Sequence, residues 1–136
     1  MGYAAAHAAI RLRFESEWGS TTPVQMPNTT NEPPASGSWV RFVIDVARSD
    51  WASAGDPGNN TERNLGQVTV QIFAESGDGE GVAVELADQA KAIFRSWRDV
   101  SSGVRFLVPP YARRIGPSKK WYQINVVAPF QFDDFT

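Results

Sequence analysis

The chain has no cysteine, which excludes disulfide staples, thiolate zinc sites and thiol nucleophiles. Imidazole chemistry is confined to one position, His7. That residue sits among alanines, with no serine or carboxylate at a spacing that would make a catalytic pair, so it reads as a surface or interface residue. Charge of neither sign dominates: 13 basic against 15 acidic residues leave a net charge of −2, and a pI near 5.3 lacks the basic signature of a dedicated duplex binder. No long apolar run is present. The longest near the start, Ala4 to Ile10, is interrupted by His7 and followed by Arg11 and Arg13, too short for a membrane span. It also lacks the order of a signal peptide, whose basic residues precede the apolar stretch. The expectation is a soluble protein made inside the cell, with no membrane partner. The acceptor patterns Asn28-Thr29-Thr30 and Asn59-Asn60-Thr61 then signify only loops.

What is present suits a folded domain. A chain of 136 residues, 42% hydrophobic, 21% charged and 12% aromatic, is one domain's worth over 1–136 and buries roughly two-thirds of its unfolded surface. Residues 3 to 18 predict a helix from alanine propensity and from Tyr3, Ala6, Ile10 and Phe14 at three- and four-residue spacing, and Gly19 ends it. From Ser20 to Ser38 four prolines predict an extended loop. Trp39 to Ala47 alternates, Val40, Phe42, Ile44 and Val46 against Trp39, Arg41, Val43 and Asp45, as a half-buried strand does. Arg48 to Leu65 reads as a second long polar loop. Gln67 to Ala74 predicts a second strand. A glycine-rich turn over 76–81 leads into a helix from Val82 to Arg98 whose stripe is Val82, Leu86, Ala90, Ile93, Phe94 and Trp97. Val104, Phe106 and Val108 mark a third strand, and Tyr122, Ile124 and Val126 a fourth beginning near Lys120. The tail around Asp133 and Asp134 reads as mobile. The expected fold is α+β, a mostly antiparallel four-stranded sheet with two helices packed on one face and long loops.

No set of residues carries catalysis, and no cofactor or metal is implied. Gly77-Asp78-Gly79-Glu80-Gly81 stands where a dinucleotide fingerprint would, but its third glycine comes one place early and two acids occupy the phosphate position. It lacks the alternating ligands of a calcium loop. Asp133 and Asp134, adjacent in an extended tail, point apart and do not form a hydrolytic pair. Tyr111, Arg113, Arg114, Lys119, Lys120, Trp121 and Tyr122 interleave bases with aromatics, as a single-strand nucleic-acid groove does; the plainer reading is a solvated hairpin loop. Charge is also segregated. Residues 75 to 88 hold Glu75, Asp78, Glu80, Glu85 and Asp88 without a base, and residues 105 to 120 hold Arg105, Arg113, Arg114, Lys119 and Lys120 without an acid. The two sets either meet head to tail between copies or neutralise each other within one. The outward sheet face carries Gln67, Thr69, Gln71, Gln123 and Asn125, neutral polar groups that an interface desolvates at less cost than charges.

Read in order, several pieces resemble the tail terminator family of long, non-contractile-tailed phages: His7-Ala8-Ala9-Ile10-Arg11-Leu12-Arg13 to Trp18, Pro23-Val24-Gln25-Met26-Pro27-Asn28, Gly37-Ser38-Trp39-Val40-Arg41, Arg63 through Phe73, the helix from Ala83 to Phe94, and Trp121 through Val126 ending in Pro129-Phe130. The resemblance implies a structural virion protein, not an enzyme. It would be assembled in the host cytoplasm as a homo-oligomeric, six-membered ring at the head-proximal end of the tail. Its partners would be the tail tube protein and the head–tail connector, and DNA would pass through unread. The alternative is a small nucleic-acid-binding module using 111–122. On the ring reading the inter-subunit candidates are Glu75, Asp78, Glu80, Arg105, Arg113, Arg114 and Lys119. Trp51, Asn59, Asn60, Arg63 and Tyr111 are the candidates on partner-binding loops.

Overall fold

A computed structural model describes residues 2–26, 34, 36–75, 77, 80–118 and 120–135, and of Ser118 the backbone alone. Helix α1 (Tyr3–Trp18) buries Ala6, Ile10, Phe14 and Trp18 on one stripe and leaves Tyr3 exposed. Short strand β1 (Val24–Gln25) follows, then β2 (Trp39–Trp51), β3 (Thr61–Glu75), α2 (Glu80–Phe94), β4 (Arg98–Asp99), β5 (Val104–Arg105), β6 (Tyr111–Ser118) and β7 (Trp121–Phe135). The class is α+β with two helices and a mostly antiparallel sheet, as the one-sided patterns predict. The sheet has seven strands rather than four, in the order β1-β2-β3-β7-β5-β4, with β6 also on β7.

Of the extra strands, β1 and β6 come from segments read as loops, and β4 begins at Arg98, read as the end of the second helix. Arg48 to Leu65 is no loop: β2 and β3 continue through it, Arg48 opposite Leu65 and Trp51 opposite Glu62, leaving only 52–60 as the tip. Backbone pairing along an existing ladder stabilises polar sequence that has no apolar alternation of its own. Residues 111–118, read as a hairpin loop, form β6, with Arg113 opposite Asn125. The tail around Asp133 and Asp134, read as mobile, is the end of β7, paired with β3 out to Phe135 opposite Thr61. Conversely, the third strand is only Val104–Arg105, and the second helix spans Glu80–Phe94 rather than 82–98. Of the Ser20–Ser38 loop, Val24–Gln25 pairs in parallel with Val40 and Arg41, while 27–33 and 35 lie outside the described residues.

One hydrophobic core fills the space between the helices and a single sheet face, with Val40, Phe42, Ile44, Val68, Val70, Ile72, Ile124, Val126 and Phe130 from the strands. Aromatic rings tie the layers together. Phe14 of α1 stacks on Phe42 of β2 at 4.4 Å and lies 6.4 Å from Phe94 of α2, which in turn stacks on Phe106 at 5.0 Å. Offset stacks of this kind add to area burial.

Candidate assembly surface

The sheet face away from the helices is where the sequence placed its neutral polar row. Gln71 lies opposite Asn125 and Thr69 opposite Val127. The row is more structured than its composition suggests. Arg41 donates from Nε to Gln25 Oε1 at 3.0 Å and from Nη1 to Gln71 Oε1 at 3.3 Å. Its guanidinium also lies 5.6 Å from the Trp39 ring and 5.8 Å from Phe73, two rings stacked on each other at 4.2 Å. A cation held over two buried aromatic rings gives this end of the face a fixed shape.

Farther along the same face Asp133 joins two arginines. Arg63 Nε and Nη2 donate to its two carboxylate oxygens at 3.0 and 3.2 Å, and Arg105 Nη2 donates at 3.4 Å. The hydrogen bond from Arg63, opposed by burial and helped by the charges of Arg105 and Arg63, holds the Asp133 carboxyl below its ordinary value of 3.8. A lowered carboxyl contributes stability that is present above its unfolded value and is lost as pH falls through the lower folded one. Asp133→Asn should therefore cost about 1 kcal/mol at neutral pH, discounted because Arg63 remains 44% exposed. The difference from the parent should shrink from about pH 4 downward. A gap in urea midpoint that persists unchanged at pH 2 would contradict this origin. On the helix side of the same strands, Asn64 Nδ2 donates to Asp134 Oδ2 at 3.3 Å, and a side chain added at Gly2 would lie 3.5 Å from the other carboxylate oxygen. Asp134 thus sits at the amino end of α1, where the helix dipole favours an anion.

The expected inter-subunit set is divided by these contacts. Glu75 accepts from the Gly37 backbone N–H at 3.0 Å, and Arg105 is turned inward to Asp133. Glu80 opens α2, exposed, and Arg113 and Arg114 stand exposed on β6. Arg114 lies 5.7 Å from the Tyr122 ring of the neighbouring strand. Asp78 and Lys119 fall outside the described residues. The candidates on partner-binding loops are corrected in place: Trp51 and Arg63 belong to β2 and β3, and Tyr111 to β6. Only Asn59 and Asn60 lie on a loop, the 52–60 tip, where Asn60 Oδ1 accepts from the Asp56 N–H at 3.0 Å. Exposed Trp51 and Phe135 mark the end of the three-stranded arm beneath it. Beside Arg105, Leu65, Leu107, Val108 and Pro129 line an open depression of about 210 Å³.

Sequence reasoning missed Asp133 as the centre of this face. Its signal was the unbroken alternation Ile124, Val126, Ala128, Phe130, Phe132, which carries β7 onward and puts Asp133 on the opposite face. Among the described residues no group of three or more His, Asp or Glu is placed to hold a metal ion, and no helix is long and apolar enough to cross a membrane.

A model of the phage tail terminator protein family matches residues 5–130. The chain belongs to that family. No curated protein matches it. Several solved structures share its fold; one matches with a TM-score of 0.64 and 23% identity over 96% of this chain and 97% of its own. Membership makes the protein a phage tail structural component that interacts with other tail components, in a family that is not one of enzymes. The alternative reading, a nucleic-acid-binding module at 111–122, has no support from the comparisons. The segment is a strand and turn, and its aromatics Tyr122 and Trp121 already lie against Arg114 and Lys120.

Proposed function

We propose that this family member is the ring-forming terminator of a long, non-contractile tail. Six copies close a ring on the head-proximal end of the tail tube, stop the addition of tube subunits and present their other side to the head–tail connector, while DNA passes through unread. The observation that carries the reading is the family match over residues 5–130. The neutral polar sheet face and the exposed basic strand β6 supply surfaces suited to assembly. Among the described residues Arg113, Arg114 and Glu80 are the members of the charged set left to face another subunit, and the 52–60 tip with Trp51, Asn59 and Asn60 is the surface for a tail partner. The protein turns over no substrate.

The test combines mass in solution with tube growth. Mixed with polymerising tail tube protein, the chain should shorten the tubes and be found at one end of each by electron microscopy. Tubes that lengthen as though it were absent would overturn the reading, as would a hydrolytic activity that follows the folded protein through repurification.

A further inference from the structure

Resting on that ring reading, we propose how one copy meets the next. The exposed side of helix α2 in one copy lies on the sheet face of its neighbour that carries no helices, with Val84 in the depression beside Arg105 and Glu80 against Arg113.

The sheet side has a base at each end and apolar walls between. Arg113 of β6 stands opposite Asn125 of β7, on the face away from the helices because Ile124, Val126 and Ala128 alternate into the core. Farther along β7, Gln131 stands opposite Arg105, about 20 Å from Asn125 at strand spacing. Between these ends Leu65, Leu107, Val108 and Pro129 line the depression of about 210 Å³. Its cause is in the sequence. Pro129 has no N–H with which to hold a strand beside it, and Pro109 and Pro110 have none to offer in return. The chain therefore leaves β7 between Arg105 and Tyr111, and Leu107 and Val108 stay exposed. These residues belong to β3, β7, β6 and the 105–110 crossover, so β2 separates them from β1.

Helix α2 presents the complement. Glu80, Gly81, Val84 and Asp88 follow one another at three- and four-residue spacing and are all exposed, an acid, a bare backbone, an apolar side chain and a second acid on neighbouring turns. Gly81 is the further mark. Glycine weakens a helix relative to alanine. Here φ is not positive, and nothing lies within 4 Å of where a Cβ would stand, so neither dihedral freedom nor crowding within this chain calls for it. Close approach of another backbone does. A helix layer laid on a sheet face is also the packing this chain already uses on its other side.

Charge sets the direction of the helix on the strip. Glu80 and Arg113 are exposed, and among the described residues no ion pair engages either. Asp88 has Lys91 Nζ at 3.9 Å, and Arg63 and Arg105 share Asp133. Setting Glu80 on Arg113 joins the two bare charges and brings Asp88 with Lys91 to the mixed cluster, where two arginines outnumber one carboxylate. The reverse setting turns Lys91 toward Arg113, like charge against like. Glu80 and Asp88 lie about 12 Å apart along the helix, and the long side chains of Glu80 and the arginines span the remainder. Two different surfaces meet, and such a contact closes a ring if its rotation closes.

The natural absence of cysteine makes the test direct. Single variants Val84→Cys and Leu107→Cys, mixed and oxidised, should give a disulfide-linked dimer that neither variant gives alone. Glu80→Arg and Arg113→Glu should each raise the protein concentration needed for half-assembly about fivefold, and their combination should recover most of the loss. Gly81→Leu should raise that concentration about tenfold by holding the helix off the sheet, while the urea midpoint of the unassembled chain stays level or rises. Normal rings without mixed cross-links, a charge swap that restores nothing, or a Gly81→Leu protein that assembles like the parent would each overturn this contact and leave the ring reading standing. Parent protein that stays monomeric by mass at every concentration, and also at the tube end, would overturn both.

Discussion

Phe94→Ala should lower unfolding stability by about 3 to 5 kcal/mol, the range for removing a fully buried phenylalanine where the surroundings cannot collapse. Phe94 has no exposed surface, and it joins three layers: Phe14 of α1 at 6.4 Å, Phe42 of β2 at 6.5 Å and Phe106 after β5 at 5.0 Å. Each of these rings is held by others, Phe14 by Trp18 and Phe106 by Trp97 and Phe130, so none can swing into the vacated space without leaving a gap elsewhere. Ile44→Ala, on β2 farther from the centre of the sheet, should cost about 2 to 4 kcal/mol. A domain of this size has about 5 to 15 kcal/mol in all, so the Phe94 variant should be the first to unfold on warming. Urea unfolding with an unchanged slope and a lowered midpoint checks it. A loss below about 1 kcal/mol at both sites would mean that the helices do not close over this face.

Phe94 was legible in the sequence because α2 repeats its apolar stripe at helical spacing, and Phe42 and Ile44 because β2 alternates. Apolar periodicity reports which face is buried, so the long elements that pack on the core announced themselves, while Val24 of β1 and Phe132 near the end of β7 pack there from segments read as loop and tail. Segments held chiefly by backbone pairing did not. Arg48 to Trp51 and Thr61 to Leu65 are polar on both faces apart from single residues, yet they pair because β2 and β3 are already in register and the tip between them needs only 52–60. In β6, Tyr111, Ala112, Arg113 and Arg114 have no inward apolar side of their own, and Gly116 and Pro117 interrupt them. Only the presence of β7 makes a strand there.

The surface was legible in part for the same reason. The neutral row Gln67, Thr69, Gln71, Gln123 and Asn125 followed from alternation, and its place on the face away from the helices is as expected. The contact of Arg63 and Arg105 with Asp133 joins positions far apart in sequence, and a single chain carries no mark of which carboxylate a given arginine will meet. Charge counting by segment grouped Arg105 with Arg113 and Arg114. In space Arg105 is neutralised inside its own chain, while β6, paired among the described residues with β7 alone, carries the other two. Family membership came from many weak matches in fixed order, none of which involves a catalytic group.

Gly66→Ala should be nearly as costly as the loss of Phe94, for the opposite reason. A Cβ at residue 66 would stand 2.4 Å from the Asp45 carbonyl oxygen and 2.7 Å from Cζ of Phe130, far inside van der Waals distance. The glycine is needed for space rather than for dihedral freedom, since its φ is not positive. It lies where β2 breaks register between Val46 and Arg48, and the bulge draws the Asp45 carbonyl close to β3 while Phe130 lays its ring over the bare backbone. The ring cannot retreat easily, being buried against Phe106 at 5.6 Å and Phe132 at 6.3 Å. Forcing a methyl into packed surroundings costs about 1 to 3 kcal/mol, and more where the obstacle is backbone, so Gly66→Ala should fall near 3 kcal/mol and Gly66→Val should prevent folding. Phe130→Leu in the Gly66→Ala background should recover only part of the loss, because it relieves the ring and not the carbonyl. A Gly66→Ala protein within about 0.5 kcal/mol of the parent in urea unfolding would mean that the strands separate at the bulge at little cost.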